Sequence, residues 1–413
     1  MPLLFWRAAA WAAALLPCLV AATPLSPLSL ADAIDLAVQR SEAAHSAQAG
    51  VGSAKHMALA AGQLPDPSLR VGIENLPVTG PDRLHTTRDS MTMKRIGISQ
   101  EWLSSGKRAT RQAAAEAVVA RETIQVQTAQ ADTRLQTALA YVDAYFASES
   151  LKLSTLMEHH AHEELEASRA RLSSATGNSQ EVLFLTTANG MAADDTAEVL
   201  QQQSSANLAL QRWTGMASDG LQGVDKLPWP SEAAFVAAAP AVAALGQDVE
   251  VARQSAAVTA SNRQANWTWE VAYGQRTGYS DMVSVGVTIP LQLAPAQRQD
   301  QETAAKWALV NKAEADLAEA TRSATAEYRS LASDAQRLQE RIDRYRSAVA
   351  LPAAQRTAAA TAAYGSNQGS LVTLFEARHA EVDAQRKLLA LQRDLAKTQV
   401  QLAYKPLSQG DAP

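Results

Sequence analysis

Cysteine is almost missing: Cys18 is the only one in 413 residues. A disulfide framework and any CxxC redox or zinc motif are thereby excluded. Aromatic residues are scarce at 5%, and much of the 47% hydrophobic content is alanine. A compact globule of this length would bury more large side chains, whereas long helices packed closely along their length need fewer. Beyond residue 20 no apolar run is long enough for a transmembrane helix. There is no GxxxxGK(S/T) phosphate loop and no HExxH, and the scattered Ser, His and Asp residues form no catalytic motif. The net charge of −5 gives no support for a nucleic-acid partner. Neither a catalytic site nor a cofactor is expected.

The first 22 residues carry a different signal. Arg7 supplies a positive charge, Ala8 to Val20 form an apolar run, and Val20-Ala21-Ala22 offers a small-residue cleavage site. This is the pattern of a secretory signal peptide, too short for a membrane anchor. Cys18 lies inside it after Pro17, a poor match to a lipidated cysteine that follows a small residue. The expectation is that it leaves with the signal.

What the sequence does contain is a repeat. LRVGIENLP, a polar connection and MTMKRIGISQEWLSSGKRATRQAAAEA are echoed by WTWEVAYGQ, a short connection and DMVSVGVTIPLQLAPAQRQDQETAA. Ile96-Gly97-Ile98-Ser99 matches Val285-Gly286-Val287-Thr288. Each half reads strand, loop, strand, long helical tract.

The strands alternate with a period of two. Leu69, Val71 and Ile73 oppose Arg70, Gly72 and Glu74. Ile96, Ile98 and Trp102 oppose Gly97, Ser99 and Glu101, although Lys94 breaks the upper end. Trp267, Trp269, Val271 and Tyr273 oppose Thr268, Glu270, Ala272 and Gly274. Val283, Val285, Val287, Ile289 and Leu291 oppose Ser284, Gly286 and Thr288. Apolar-out, polar-in strands of this kind fit an outer-membrane β-barrel, with the Trp and Tyr rings suited to a lipid boundary. The alternatives are a soluble β-sandwich and a sheet half-buried under helices. Four strands cannot close a barrel, because the smallest membrane barrels have about eight. An open edge in lipid is not tolerated, so such a barrel must be shared among copies of the chain.

The helical tracts run from about Lys107 to Leu172 and from about Gln297 to Tyr364, each about 65 residues or roughly 100 Å. They end at SSATGNSQ and GSNQGS, strong turn signals. Shorter helices return over Gln180 to Arg212 and Leu371 to Leu402. Pro352 lies inside the second tract and should bend it. The apolar stripes are thin, so these helices need lateral partners. The Gly- and Pro-bearing segment 214–240 reads as a connecting layer. The expected division is a signal at 1–22, a first repeat at 23–213, this connector, and a second repeat with a tail at 241–413.

Taken together, the duplication, the helix lengths and the turn phrases resemble the TolC family of outer-membrane efflux proteins. LSLADAIDLAVQRS and QLPDPSLRVGIEN resemble that family's first helix and first strand, and GSLVTLFEARHAEVDAQRKLLALQ its last helix. The resemblance implies a mainly α fold with a β-barrel portion: a homotrimer with a shared 12-stranded outer-membrane barrel and a trimeric α-barrel crossing the periplasm. It implies helix tips, here Ala175, Gly177, Asn367 and Gly369, that meet a periplasmic adaptor of an inner-membrane RND pump. Arg70, Glu74, Glu101 and Glu270 would face a water-filled lumen, and the strand aromatics would face lipid. The family's closed tips are latched by a tyrosine and a carboxylate, which fall here on Tyr364 and Glu181 and would form a charge-assisted hydrogen bond. Glu376 matches one of the family's carboxylate rings, but Thr373 stands where a second would be. The other reading of Glu181 and Glu376 is a solvated helix face.

Within the family, DSMTMKRIGISQEWLSSGKRATR resembles the heavy-metal branch, whose channels accompany cobalt–zinc–cadmium or copper–silver pumps. The Gly106-Lys107-Arg108 step is part of that likeness. The alternatives are a drug or general efflux channel, a channel for type I secretion, or a secreted helical adaptor without a pore. A histidine cluster offers weak candidates for metal binding: on a helix His159 and His162 share a face, with Glu163 one turn from His159. An exposed polar stretch is the simpler reading. Met91 and Met93 raise copper(I) in the same way and read more simply as strand residues.

Overall fold

The computed structural model describes residues 27–217 and 220–408. The signal segment, Cys18 and the last residues of the tail lie outside the described residues. Among the described residues, nine α-helices and four strands follow the order α1 (Leu30–Gln39), α2 (Glu42–Ala61), β1 (Ser68–Glu74), β2 (Met93–Trp102), α3 (Ser105–Ser173), α4 (Ser179–Thr214), α5 (Glu232–Ala237), α6 (Pro240–Ser261), β3 (Trp267–Gln275), β4 (Met282–Thr288), α7 (Gln299–Tyr345), α8 (Leu351–Gly365) and α9 (Leu371–Tyr404). Among the described residues, no helix is long and apolar enough to cross a membrane.

Side-chain caps start most of these helices. Ser29, Ser41, Ser104, Asn178, Ser231 and Ser370 each accept a hydrogen bond from a backbone N–H in the first turn. From Lys107 to Leu172 there is neither glycine nor proline, so α3 continues unbroken for 69 residues, about 100 Å. The second long tract differs from the expectation. It is interrupted by a π-helical segment, Arg346–Ala350, where the Leu351 N–H reaches back to the Arg346 carbonyl. The cause is Pro352, which has no N–H and whose ring would strike the Ala348 carbonyl in a regular helix. The wider π turn takes up the conflict.

The long helices organise the rest. α2 lies along the first part of α3 and α4 along its last part, while α6 lies along α7 and α9 sits between α3 and the α7–α8 tract. Alanines at 131, 138, 144 and 161 of α3 are buried, as close helix approach requires. Part of the connecting segment meets the long helix at Tyr141. Leu28 and Leu221 make a parallel bridge, and the Tyr141 hydroxyl, fully buried, donates to the carbonyls of Leu28 and Gln222 at 2.6 and 2.9 Å. Burial lifts that phenol to about 12. Farther along, Phe235 of α5 is buried among Ala335, Leu402 and Tyr328.

The strands form one antiparallel sheet in the order β1-β2-β3-β4. The central pairing, Trp102 with Trp267 through Lys94 with Gln275, joins the two hairpins. β4 is shorter than the alternation suggested: Ile289 and Leu291 lie beyond it, next to Pro290, which has no N–H for a ladder. Met93 is a strand residue that packs over Gly274, whereas Met91 precedes β2 and is exposed.

Candidate functional site: the sheet faces and the helix tips

The two faces of the sheet differ sharply. Register puts Leu69, Ile98, Val271 and Val285 in one row and Val71, Ile96, Tyr273 and Val283 in the next. These side chains are exposed, Val71 to 71% and Val285 to 75%. The Trp102 and Trp267 rings lie 5.9 Å apart at the end nearest the helices. An apolar, aromatic-ended surface open along a whole sheet is what an apolar surrounding stabilises.

The opposite face is polar. Ala272 is only 2% exposed. A Cβ on Gly97 would lie 2.8 Å from that of Ala272, and one on Gly274 would lie 2.9 Å from the Met93 sulfur. A small residue is therefore required at Gly97, where the neighbours include the backbone of Val271 and Ala272. Arg70, Glu74, Glu101 and Glu270 all occupy this face by register. The structure adds a residue that the sequence reading passed over. Arg95 donates to Glu74 at 2.6 Å and to Glu270 at 2.9 Å, spanning three strands. Glu101 accepts from Asn266 at 2.8 Å. Asn266 and the Gln264 carbonyl in turn hold the Lys107 ammonium, 4% exposed, at the join between sheet and helices. Burial and neighbouring Arg111 lower the pKa of Lys107, and Glu101 partly offsets them.

The two helix tips share one design. After α3, Thr176 N–H reaches the Arg171 carbonyl and Ala175 N–H that of Leu172. After α8, Gln368 reaches Ala363 and Asn367 reaches Tyr364. This is the Schellman pattern, with Ala175 and Asn367 at φ 58° and 60° where glycine is usual. Gly177 and Gly369 serve for close approach instead. A Cβ on the first would lie 2.6 Å from Leu172 N and on the second 3.2 Å from Tyr364 N.

Tyr364 packs against a buried cluster that includes Leu165, Leu185, Leu371 and Phe375. Glu181 lies 3.7 Å from Arg171, and its Oε1 has no hydrogen-bond partner. Among the described residues no hydrogen bond joins Tyr364 and Glu181, and Glu376 is exposed. Sequence reasoning also missed the charged pairs beside this cluster. Glu164, 3% exposed, accepts from Arg378 at 2.9 Å, and Arg386 pairs with Asp195 and donates to Ser154 at 2.8 Å. Burial lifts the Glu164 carboxyl to about 7 against the pull of Arg378. A signal existed: Glu164 and Arg378 sit on buried stripes, Met157-Ala161-Glu164-Leu165 and Leu371-Phe375-Arg378-Val382, where charge is uncommon without a partner.

The histidine cluster is drawn together through Glu163. Glu163 faces His159 at 3.3 Å and His160 at 3.4 Å. His162 is exposed. Among the described residues, no group of three or more such side chains is placed to hold a metal ion.

Solved structures share this architecture. VceC, an outer membrane protein of Vibrio cholerae, is 16% identical, with a TM-score of 0.72 over 90% of this chain and 94% of its own. CusC, studied for transmembrane channel formation, is 13% identical with a TM-score of 0.74 over 91% of both chains. MtrE, an outer membrane channel of Neisseria gonorrhoeae captured open, is 15% identical with a TM-score of 0.71 over 92% and 88%. No family model and no curated protein matches the sequence. A mainly helical chain with a small sheet, built as in these outer-membrane channels, is the fold.

Proposed function

We propose that the chain is the outer-membrane channel of a tripartite efflux system in a Gram-negative bacterium, and that it works as a homotrimer. One observation carries this reading: a four-stranded sheet with an apolar outer face and two open edges, attached to helices about 100 Å long. In hydrocarbon those edges must be paired. β1 of one copy pairs with β4 of the next, and three copies close a barrel of about 12 strands. The two repeats, 23–213 and 241–413, each contribute a hairpin to the barrel and a helical pair to the α-barrel in the periplasm. The segment 214–240 is the belt between them.

The chain supplies a passage and a gate and performs no catalysis. An inner-membrane RND pump provides the energy, and a periplasmic adaptor docks at the tips around Ala175, Gly177, Asn367 and Gly369. Tyr364 and Glu181 form the latch, supported by the Glu181 carboxylate oxygen that is left without a hydrogen bond and by the packing of Tyr364. Glu376 forms a ring inside the tip. The cargo is a heavy-metal cation of the cobalt–zinc–cadmium or copper–silver groups, supported by the phrase leading through Gly106-Lys107-Arg108. The cation is cargo and does not reside in the protein.

The test is growth of a deletion strain, with and without the gene restored, titrated with Cu²⁺, Ag⁺, Zn²⁺, Co²⁺, Cd²⁺ and a drug panel. Hypersensitivity to one metal group is expected. Sensitivity to drugs alone would move the cargo to general efflux. Loss of the protein from carbonate-washed outer membranes would overturn the channel itself.

A further inference from the structure

We infer that Arg95 sets how the barrel lumen handles cations, by occupying two carboxylates that would otherwise form a divalent-cation trap in the pore. This rests on the channel reading above. The inner face carries two cations, Arg70 and Arg95, against three carboxylates, Glu74, Glu101 and Glu270. Arg95 takes two of the three, through Nη1 to Glu74 at 2.6 Å and Nη2 to Glu270 at 2.9 Å. The third, Glu101, is held by the Asn266 amide at 2.8 Å.

The placement is specific. Gly72 of β1 and Gly274 of β3 lie opposite Arg95 in the two neighbouring strands. Neither glycine has a side chain, so Arg95 has room to reach Glu74 on one side and Glu270 on the other, beside the Met93 sulfur that lies over Gly274. The pairs are only partly exposed, 22% for Arg95 against 34% and 30% for its partners. Both carboxylates contact the two ends of one guanidinium, so removing it leaves two negative groups a few ångströms apart. Hard and borderline divalent cations bind such oxygen pairs. A passage for divalent cations works only if its wall does not hold them, because conduction requires binding weak enough to leave. Lysine cannot replace this group, since its single ammonium does not present a fork to two carboxylates.

Purified full-length protein reconstituted in planar lipid bilayers tests the inference, with reversal potential in a KCl gradient and Zn²⁺ block of K⁺ current as readouts. Arg95→Gln should raise the cation-to-anion permeability ratio about two- to threefold. It should also make the current sensitive to Zn²⁺ at concentrations that leave the wild type unaffected. The reciprocal variant Glu74→Gln with Glu270→Gln leaves Arg95 uncovered and should shift the ratio toward anions. It keeps the inference testable where Arg95→Gln fails to insert. Conducting wild-type and variant pores with the same ratio and no new Zn²⁺ block would overturn the role of Arg95 alone. A wild-type protein that never conducts would overturn the channel reading and this inference with it.

Discussion

The Glu164 carboxylate and the Arg378 guanidinium meet at 2.9 Å between α3 and α9, with Glu164 buried to 3% exposure. Desolvation opposes the charge on Glu164 more strongly than Arg378 supports it, and the carboxyl is held at about 7. An unfolded glutamate titrates at about 4.3. Between these values the folded chain keeps a proton that the unfolded chain has released. The contribution of Glu164 is therefore fully present below the unfolded value and is lost as pH rises through about 7. Its full size is on the order of 3 kcal/mol. Thermal unfolding of the detergent-solubilised protein, followed by helical circular dichroism from about pH 5 to about pH 8, should show the melting temperature falling across this window. Glu164→Gln should flatten that slope. A variant with an undiminished slope would assign the effect to other groups.

The first helix tip holds an alanine where glycine is usual. Ala175 at φ 58° carries a Cβ penalty, so Ala175→Gly should stabilise the turn by about 1 kcal/mol. Hydrogen exchange of the amides over 171–181 should slow about fivefold. Gly177→Ala should act in the opposite direction, because its Cβ would lie 2.6 Å from Leu172 N. Faster exchange in Ala175→Gly would contradict the assigned backbone conformation.

Gly97 and Ala272 share one small space between β2 and β3, where a second Cβ would come within 2.8 Å. Gly97→Ala should destabilise the sheet by about 1 to 3 kcal/mol and reduce the yield of the proposed oligomer. Adding Ala272→Gly should restore much of it, since the pair then exchanges its single methyl across the strands. A single variant with wild-type oligomer yield would show that the sheet relaxes without difficulty.

Tyr364 presents an aromatic ring to the cluster around Leu371 and Phe375, and phenylalanine preserves that packing. Tyr364→Phe should therefore leave folding intact and, on the proposed latch, raise the conductance of the closed channel about tenfold through loss of the hydroxyl. Glu181→Gln should act in the same direction. Bilayer recordings in which neither variant departs from the wild type would sink the latch.

Much of the fold was legible in the sequence because its determinants are local. Side-chain alternation in WTWEVAYG marks a strand whatever lies beside it. The uninterrupted run from Lys107 to Leu172 marks a long helix, and the turn phrases at 173–178 and 365–370 mark its reversals. The assignment of Arg70, Glu74, Glu101 and Glu270 to one face likewise followed from alternation.

Other features depended on which segments meet. The sequence did not place Arg95 between Glu74 and Glu270, because that requires the register of β2 against β3 across some 175 residues. It left Glu164 and Arg378, 214 apart in the chain, as two charges on separate apolar stripes. It named Pro352 as a disturbance of the second long tract, but not that the chain would absorb it in a π turn at Arg346–Ala350. Periodicity states which side of an element is apolar. Only the tertiary structure decides which polar groups are buried together, since burial makes an unpaired charge too costly to leave.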